Sequence, residues 1–454
     1  MKLKEMGSVR NKVVVVGMGI SGHAVCELLL QQGAQVIATD LRTRDQFSGA
    51  LDHLEQKSCL LRLGAHNLED FLNADQIIVS PGVPLDIEPL VEAGKRGIEI
   101  VGELEWAWRQ VDIPVVAVTG TNGKTTTTSL IGEMLGTSGK EVFVGGNIGT
   151  PLSKWLLNSS VADVLVLEVS SFQLDTASKF SPEVGVLLNI TEDHLDRYDG
   201  FAAYARSKFS LFARQRTSDV AIINADDAIC LEDSSEVRSR VLHFSRSDRQ
   251  TQATVRGREI VVNVPWQTPF AVSLENTHLH GIHNEENLLA AVLAASVVGA
   301  APSAIQEVIE HYRGLPHRVE WVRKWCGIDF YDDSKGTNVG AVVKAIENFD
   351  RPILLLMGGR DKLGSYQPLG EALGTRGKGA FVFGEAAPRL YQELKGWLPT
   401  RSFPDLETAF KDVLNHAVSG DVVLLSPACS SFDQYESYAQ RGDHFKRLVM
   451  ELSG

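Results

Sequence analysis

The sequence predicts an α/β protein built from open, mostly parallel sheets in three domains, over residues 1–102, 103–314 and 315–454. Three observations predict it. A length of 454 residues is enough for two to four cores. Two stretches, Val13–Gly22 and Val115–Thr128, run from an apolar β-prone segment through a glycine loop into a helical pattern. Beyond residue 314, four more apolar runs each end in polar or glycine residues, as the strands of a doubly wound sheet do.

In the first domain, Val13–Val16 is a buried-strand signal followed by Gly17-Met-Gly19-Ile-Ser21-Gly22 and an apolar helix through Leu30. A second strand, Gln35–Thr39, ends at Asp40. This is the dinucleotide fingerprint of a Rossmann-like unit, with the acidic residue at the right distance. Alone it indicates NAD with Asp40 on a ribose hydroxyl, but the same geometry holds any diphosphate against a helix N-terminus. Gln76–Val79 is a further strand, ending in Ser80-Pro81-Gly82, which is either crevice lining or a plain turn. Ile98–Val101 is expected to be the last strand of this domain.

The central domain turns on Val115–Thr119, which feeds Gly120-Thr121-Asn122-Gly123-Lys124-Thr125-Thr126. Successive backbone N–H groups and a helix N-terminus make such a loop an anion site. Lys124 adds a charge for terminal phosphates, and the Thr125 hydroxyl suits Mg²⁺. Val118 occupies the first glycine position of the full P-loop pattern, so the motif is a shortened P-loop. A structural turn would not need Lys and Thr together.

The later features of this P-loop NTPase-like domain follow in order. Glu141–Val144 leads into a loop carrying Asn147. Val164–Leu167 delivers Glu168 to a strand end, where it is either a Mg²⁺ ligand or a helix cap. Val184–Ile190 is read as a strand running into Thr191–Tyr198. There His194 is either a metal ligand or a hydrogen-bonded structural residue. Phe201–Phe212 reads as an amphipathic helix in which Lys208 would ordinarily be a snorkelling surface lysine. Ala221–Asn224 is a further strand, and residues 231–270 look like short polar β segments. Asn284 and Asn287 precede an apolar helix expected over Leu288–Val298, as caps or as contacts to a base.

Gly314–Arg318 reads as a hinge into the second Rossmann-like domain. Its expected strands are Ile328–Tyr331, Ile353–Met357, Ala380–Phe383 and Val422–Leu425. Thr337, Lys362 and Ser431 follow strand ends, where charge and hydroxyl donors suit a small dicarboxylate; each is equally a cap or surface group.

Composition excludes other classes. A formal net charge of −13 argues against nucleic acid and supplies no polybasic membrane patch. Five widely spaced cysteines with no C-x-x-C pair suit neither zinc nor a disulfide framework, and fit a reducing cytosol. No signal peptide or membrane-length apolar run is read. A cytoplasmic monomer is expected.

Taken together, Gly120–Thr125, Glu168–Leu174, Thr191–Tyr198, His283–Asn287 and Pro316-His317-Arg318 resemble the Mur ligases, in order and over essentially the whole chain. Asp333–Asn338 and Leu425–Gln434 point to the branch that adds D-glutamate to UDP-N-acetylmuramoyl-L-alanine. The Asp-Asn-Pro-Arg signature of the diaminopimelate-adding branch is absent. The resemblance implies ATP-driven amide formation through an acyl phosphate in peptidoglycan precursor synthesis, with two Mg²⁺ ions. It implies that Lys124 and Thr125 hold phosphate and Mg²⁺, and that Glu168 takes the first metal. His194 and Lys208 take the second, Lys208 as a CO₂-derived carbamate. Asn284, Asn287, Arg318 and Asp333 fall at ATP positions. Ser21, Asp40, Ser80, Gly82 and Asn147 fall around the UDP-sugar, and Thr337, Lys362, Ser431 and Tyr438 in the D-glutamate pocket. Leu41 replaces an expected hydroxyl residue after Asp40, and Tyr438 an expected Phe. Closure of the third domain about Pro316 is a further expectation. Competing readings are another superfamily ligase, such as an L-alanine-adding enzyme or a folylpolyglutamate synthetase, and a nucleotide-driven binding switch.

Overall fold

The computed structural model describes residues 11–47, 51–158, 161–191, 193, 197–232, 234–279, 281–361 and 365–453. The chain divides into two compact units, Met1–Thr277 with Ile282–His311, and His278–Gly281 with Tyr312–Gly454.

The first unit carries two sheets. The five strands of the first are β1 (Lys12–Val16), β2 (Gln35–Asp40), β3 (Leu60–Leu63), β4 (Gln76–Val79) and β5 (Glu99–Gly102). They are all parallel in the order β3-β2-β1-β4-β5. Chain direction across the sheet reverses between β1 and β4, and a ligand crevice opens beyond the carboxyl ends of strands at such a switch point. Gly17 and Ser80 stand there, directly after β1 and β4. β3 was not expected from the sequence. β5 begins at Glu99 and includes Gly102, one residue later than read.

The second sheet comprises β6 (Val115–Thr119), β7 (Val142–Gly146), β8 (Val164–Glu168), β9 (Val184–Leu187), β10 (Val220–Asn224), β11 (Arg240–Ser245), β12 (Ala253–Arg256), β13 (Glu259–Val262) and β14 (Phe270–Ser273). Their order is β14-β13-β12-β11-β10-β9-β6-β8-β7, parallel from β12 to β7 and closed by an antiparallel meander. All five residues of β6 are buried, which is why it reads as an unbroken apolar run rather than an alternating one. β9 stops at Leu187, three residues short of the expected Ile190, because the chain then turns to pack on the glycine loop. The polar segment after residue 226 begins with a short helix, Ala228–Glu232, before its strands.

The second unit holds β15 (Glu320–Trp325), β16 (Ile328–Asp332), β17 (Ile353–Gly358), β18 (Gly377–Phe383), β19 (Thr400–Phe403) and β20 (Val422–Leu425). The order is β15-β16-β20-β17-β18-β19, with β15 antiparallel to β16 and the others parallel. Alternate residues of β17 serve opposite cores: Ile353, Leu355 and Met357 pack on one face, Leu354 and Leu356 on the other. Helices therefore cover both faces of this sheet. No described helix is long and apolar enough to cross a membrane, and all five cysteines are free thiols.

Candidate active site

The glycine loop between β6 and the helix Lys124–Thr137 is fixed from outside. Gly123 caps that helix with φ +82, and a Cβ there would lie 2.1 Å from Asn287 Oδ1. Both conformation and space therefore require glycine. Asn189, just beyond β9, accepts from the Asn122 amide through Oδ1 at 2.8 Å and donates through Nδ2 to Asn122 O at 3.2 Å. The Thr121 amide donates to Asn189 O, and the Thr191 amide to Thr121 Oγ1 at 3.0 Å. Lys124 Nζ lies over the loop, donating to Gly120 O and Thr121 O, each at 2.8 Å. Thr125 and Thr126 are half-buried on the first helical turn.

The apolar helix starts at Ile282, six residues before the expected Leu288, and ends at Val297. Asn284 and Asn287 thus lie within it and are not caps at the start of an apolar run. Asn287 is buried against the loop and accepts from Thr127 Oγ1 at 3.3 Å.

Glu168 ends β8 beside β6, 2% exposed. Its Oε1 accepts from Asn147 Nδ2 at 2.7 Å, while Oε2 is buried with no hydrogen-bond partner among the described residues. A buried carboxylate oxygen left without a donor costs free energy unless a cation completes it. An oxygen of this kind suits a hard cation such as Mg²⁺, which takes oxygen ligands. The helix-cap alternative for Glu168 fails, since Ser170 caps the next helix through Gln173 N.

Lys208 lies on the helix Phe201–Phe209 and is only 1% exposed, so it does not snorkel. Its Nζ donates to Gly120 O at 2.9 Å and lies 4.7 Å from the centre of the Tyr204 ring. Burial, and then the neighbouring Lys124 ammonium, pull its pKa down to about 7. A neutral fraction of the amine, the form that adds CO₂, is therefore present near neutral pH. His194 lies outside the described residues.

A cleft of about 540 Å³ runs along the switch point of the first sheet. It brings together Ser21, Asp40, Ser80, Gly82 and Asn147, five residues from four separate segments. Ser80 Oγ donates to Gly17 O at 2.8 Å, tying the β4 end to the glycine turn. Asp40 Oδ2 accepts from the Met18 amide at 2.7 Å and Arg42 Nη2 at 2.8 Å. Its Oδ1 accepts from the Arg42 amide at 2.9 Å and Arg42 Nε at 3.0 Å. Burial would raise its pKa, but these bonds outweigh burial and hold the carboxyl at about 2.

In the second unit, Asp333 follows β16 and is buried. It accepts from Ser426 Oγ at 2.5 Å and from the Val319 amide at 3.2 Å. Burial pushes its carboxyl up to about 7, although the Ser426 bond and the Arg318 charge pull the other way. Arg318 is exposed. Thr337 sits in the loop after β16, Ser431 is buried after β20, and Tyr438 opens the helix Tyr438–Met450. Lys362 lies outside the described residues.

Three family models match the chain: the Mur ligase MurD-like N-terminal domain over residues 11–102, the Mur ligase middle domain over 118–295, and the Mur ligase glutamate ligase domain over 317–429. The UDP-N-acetylmuramoylalanine–D-glutamate ligase of Desulfosudis oleivorans is 44% identical over 99% of this chain and 98% of its own. That of Geotalea daltonii is 41% identical over 98% of each. The chain belongs to the Mur ligase family. Its fold is shared with Thermotoga maritima MurC at a TM-score of 0.58 and 18% identity, covering 97% of this chain and 100% of that one. A Methanothermus fervidus pseudomurein peptide ligase type C matches at 0.57 and 20%, covering 98% and 100%.

Several residues of this Mur ligase that matter to its site were passed over in the sequence. Asn189 braces the glycine loop, and Tyr204 OH lies 3.2 Å from Thr121 Oγ1. Arg42 and His66 line the cleft. Arg441, fully buried, donates to Ser334 Oγ and to the carbonyls of Ser334, Gly358 and Cys429, binding three strand-end loops together. Burial lowers its pKa to about 10, still well above neutrality. An arginine on a polar helix gives no sequence signal for this.

Proposed function

We propose that this chain is the ATP-dependent ligase that joins D-glutamate to the L-alanyl carboxylate of UDP-N-acetylmuramoyl-L-alanine. The observation that carries this reading is near-full-length identity of 41–44% to D-glutamate ligases. The alanyl carboxylate attacks the γ-phosphorus of ATP, an O–P bond forms, and ADP leaves with the electrons of the broken β,γ bridge. The D-glutamate amine then adds to the acyl carbon, loses a proton, and expels phosphate as the tetrahedral intermediate collapses. Phosphorylation is needed because a carboxylate is too poor an electrophile for an amine.

The chain's part is positioning and charge neutralisation. The loop Gly120–Thr126 holds the triphosphate through the amides at its helix end, Gly123–Thr126, and the Lys124 ammonium, while Asn189 engages the amides of Thr121 and Asn122 and so fixes the loop's shape. Thr125 and Glu168 are suited to hold one Mg²⁺, and Lys208 as a carbamate, with His194, a second; ions held there would supply charge neutralisation of the phosphate oxygens. Carbamylation joins the neutral Lys208 nitrogen to CO₂ carbon with loss of one proton, and turns a cation into an oxygen ligand. Asn284, Asn287, Arg318 and Asp333 are assigned to ATP. Ser21, Asp40, Ser80, Gly82 and Asn147 are assigned to the UDP-sugar, and Thr337, Lys362, Ser431 and Tyr438 to D-glutamate.

Phosphate release with ATP, UDP-N-acetylmuramoyl-L-alanine and a panel of amino acids tests the reading. D-glutamate is expected to drive release; equal release with L-alanine or L-lysine would overturn it.

A further inference from the structure

We propose that His66 reads the base of the UDP-sugar in this ligase, a specificity role carried elsewhere than on Asp40. The inference rests on the substrate reading above and names a residue which that reading leaves unassigned.

The cleft has two chemically distinct ends. Asn147, Gly146 and Gln173 line the end tied to Glu168, so the reacting carboxylate belongs there. The glycine turn after β1 lies between, suited to the diphosphate. The far end is formed by Asp40, Leu41, Arg42 and His66, beyond β2 and β3, and is left for the base.

At that end Asp40 has little capacity left. A carboxylate offers about four lone-pair sites, and the Met18 amide, the Arg42 amide and two guanidinium nitrogens already address them. Leu41 is 64% exposed and has no polar atom in its side chain. His66 differs from both. Its Nδ1 is held at 2.8 Å by Thr39 Oγ1, and its ring packs edge-on against Phe71 at 5.8 Å. The ring is thereby oriented by two buried residues of the core, and Nε2 carries no hydrogen bond among the described residues. Burial lowers its pKa, against the raising influence of Asp40, and favours the neutral ring.

A neutral imidazole presents one nitrogen as donor or acceptor according to tautomer. With Thr39 Oγ1 donating to Nδ1, the ring proton sits on Nε2, which donates to the O4 carbonyl of uracil. Cytosine places an amino donor at that position and gives the Nε2–H nothing to bond. The residue therefore favours uracil by a hydrogen bond that cytosine does not return.

Titration calorimetry of the full chain with UDP and with CDP separates this from a structural role. In His66→Phe, which keeps a ring against Phe71, UDP is expected to bind roughly three- to tenfold more weakly, the worth of one neutral hydrogen bond. CDP binding should change by less than about twofold. Thr39→Val, which frees the ring without removing it, should show the same selective loss in weaker form, and decides the matter if His66→Phe does not fold. Equal weakening of both nucleotides, or no change in either, would overturn the role of His66. Wild-type phosphate release with D-glutamate, run alongside, reports separately on the substrate reading.

Discussion

Replacing Lys208 by Met tests whether a lysine is held buried and partly deprotonated beneath the glycine loop. The folded pKa is about 7, against about 10.4 for an unperturbed lysine. Between these values the unfolded chain binds more protons than the folded one, so stability rises with pH across that window. Below about pH 7 the cost of burying the ammonium is felt in full, and above about pH 10 it is gone. Integrating between about pH 7 and about pH 9.5 gives a gain of roughly 3 kcal/mol from this one group. Lys208→Met lacks the gain, because a thioether does not titrate, and it retains most of the packing under Tyr204. Urea unfolding of both proteins in CO₂-free buffer at several pH values reads the difference directly. Other titrating groups are common to both proteins and cancel in the comparison. A wild-type-minus-variant stability difference that stays level across this range would refute the buried, depressed lysine.

Three further outcomes are expected. Lys208→Arg should be nearly inactive, since a guanidinium cannot become a carbamate; wild-type turnover in the phosphate assay would remove that role. Glu168→Gln should lower kcat by about a hundredfold or more, by analogy with the loss of one preorganised electrostatic group, and should raise the Mg²⁺ concentration needed for half-maximal rate; an unchanged Mg²⁺ requirement would show that Glu168 is not a ligand. Gly123→Ala should lose roughly 1–3 kcal/mol of stability and weaken ATP binding, because its Cβ would meet Asn287 and its φ is positive. Unaltered unfolding and ATP affinity would contradict the close approach.

What the sequence concealed follows a physical rule. The three strands it did not disclose, β3, β15 and β19, all lie at sheet edges. An edge strand faces solvent along one side, so Glu-Trp-Val-Arg-Lys-Trp in β15 and Thr-Arg-Ser-Phe in β19 carry the charges that discourage further pairing. Central strands such as β6 are covered on both faces and announce themselves as apolar runs. The start of the Ile282–Val297 helix was hidden for a related reason. His283–Glu286 form its exposed or half-buried first turn, and only the residues after them enter the core. Site residues were legible where a backbone device was needed, as at Gly120 and Gly123. They were illegible where a long side chain reaches in from an ordinary helix, as Lys208 and Arg441 do. The motif resemblance, not periodicity, singled out Lys208, and burial supplies the reason such a lysine is useful.

That reason bears on how an acidic chain handles anionic substrates. With a net charge of −13, long-range attraction cannot deliver ATP or a UDP-sugar, and binding must rest on short-range donors. The structure gathers them at a partly buried loop, where each interaction is stronger than in bulk water. Lys124 and Lys208 both donate to the single carbonyl of Gly120, an arrangement two full positive charges would oppose. The opposition is relieved by lowering the pKa of the deeper amine rather than by separating the pair. The same carbonyl then holds one cation ready for phosphate and one nucleophilic amine ready to become anionic. Removing Lys124 should therefore raise the pKa of Lys208. In Lys124→Met the stability gain between about pH 7 and about pH 9.5 is expected to shrink, and an unaltered gain would show that burial alone sets the Lys208 pKa.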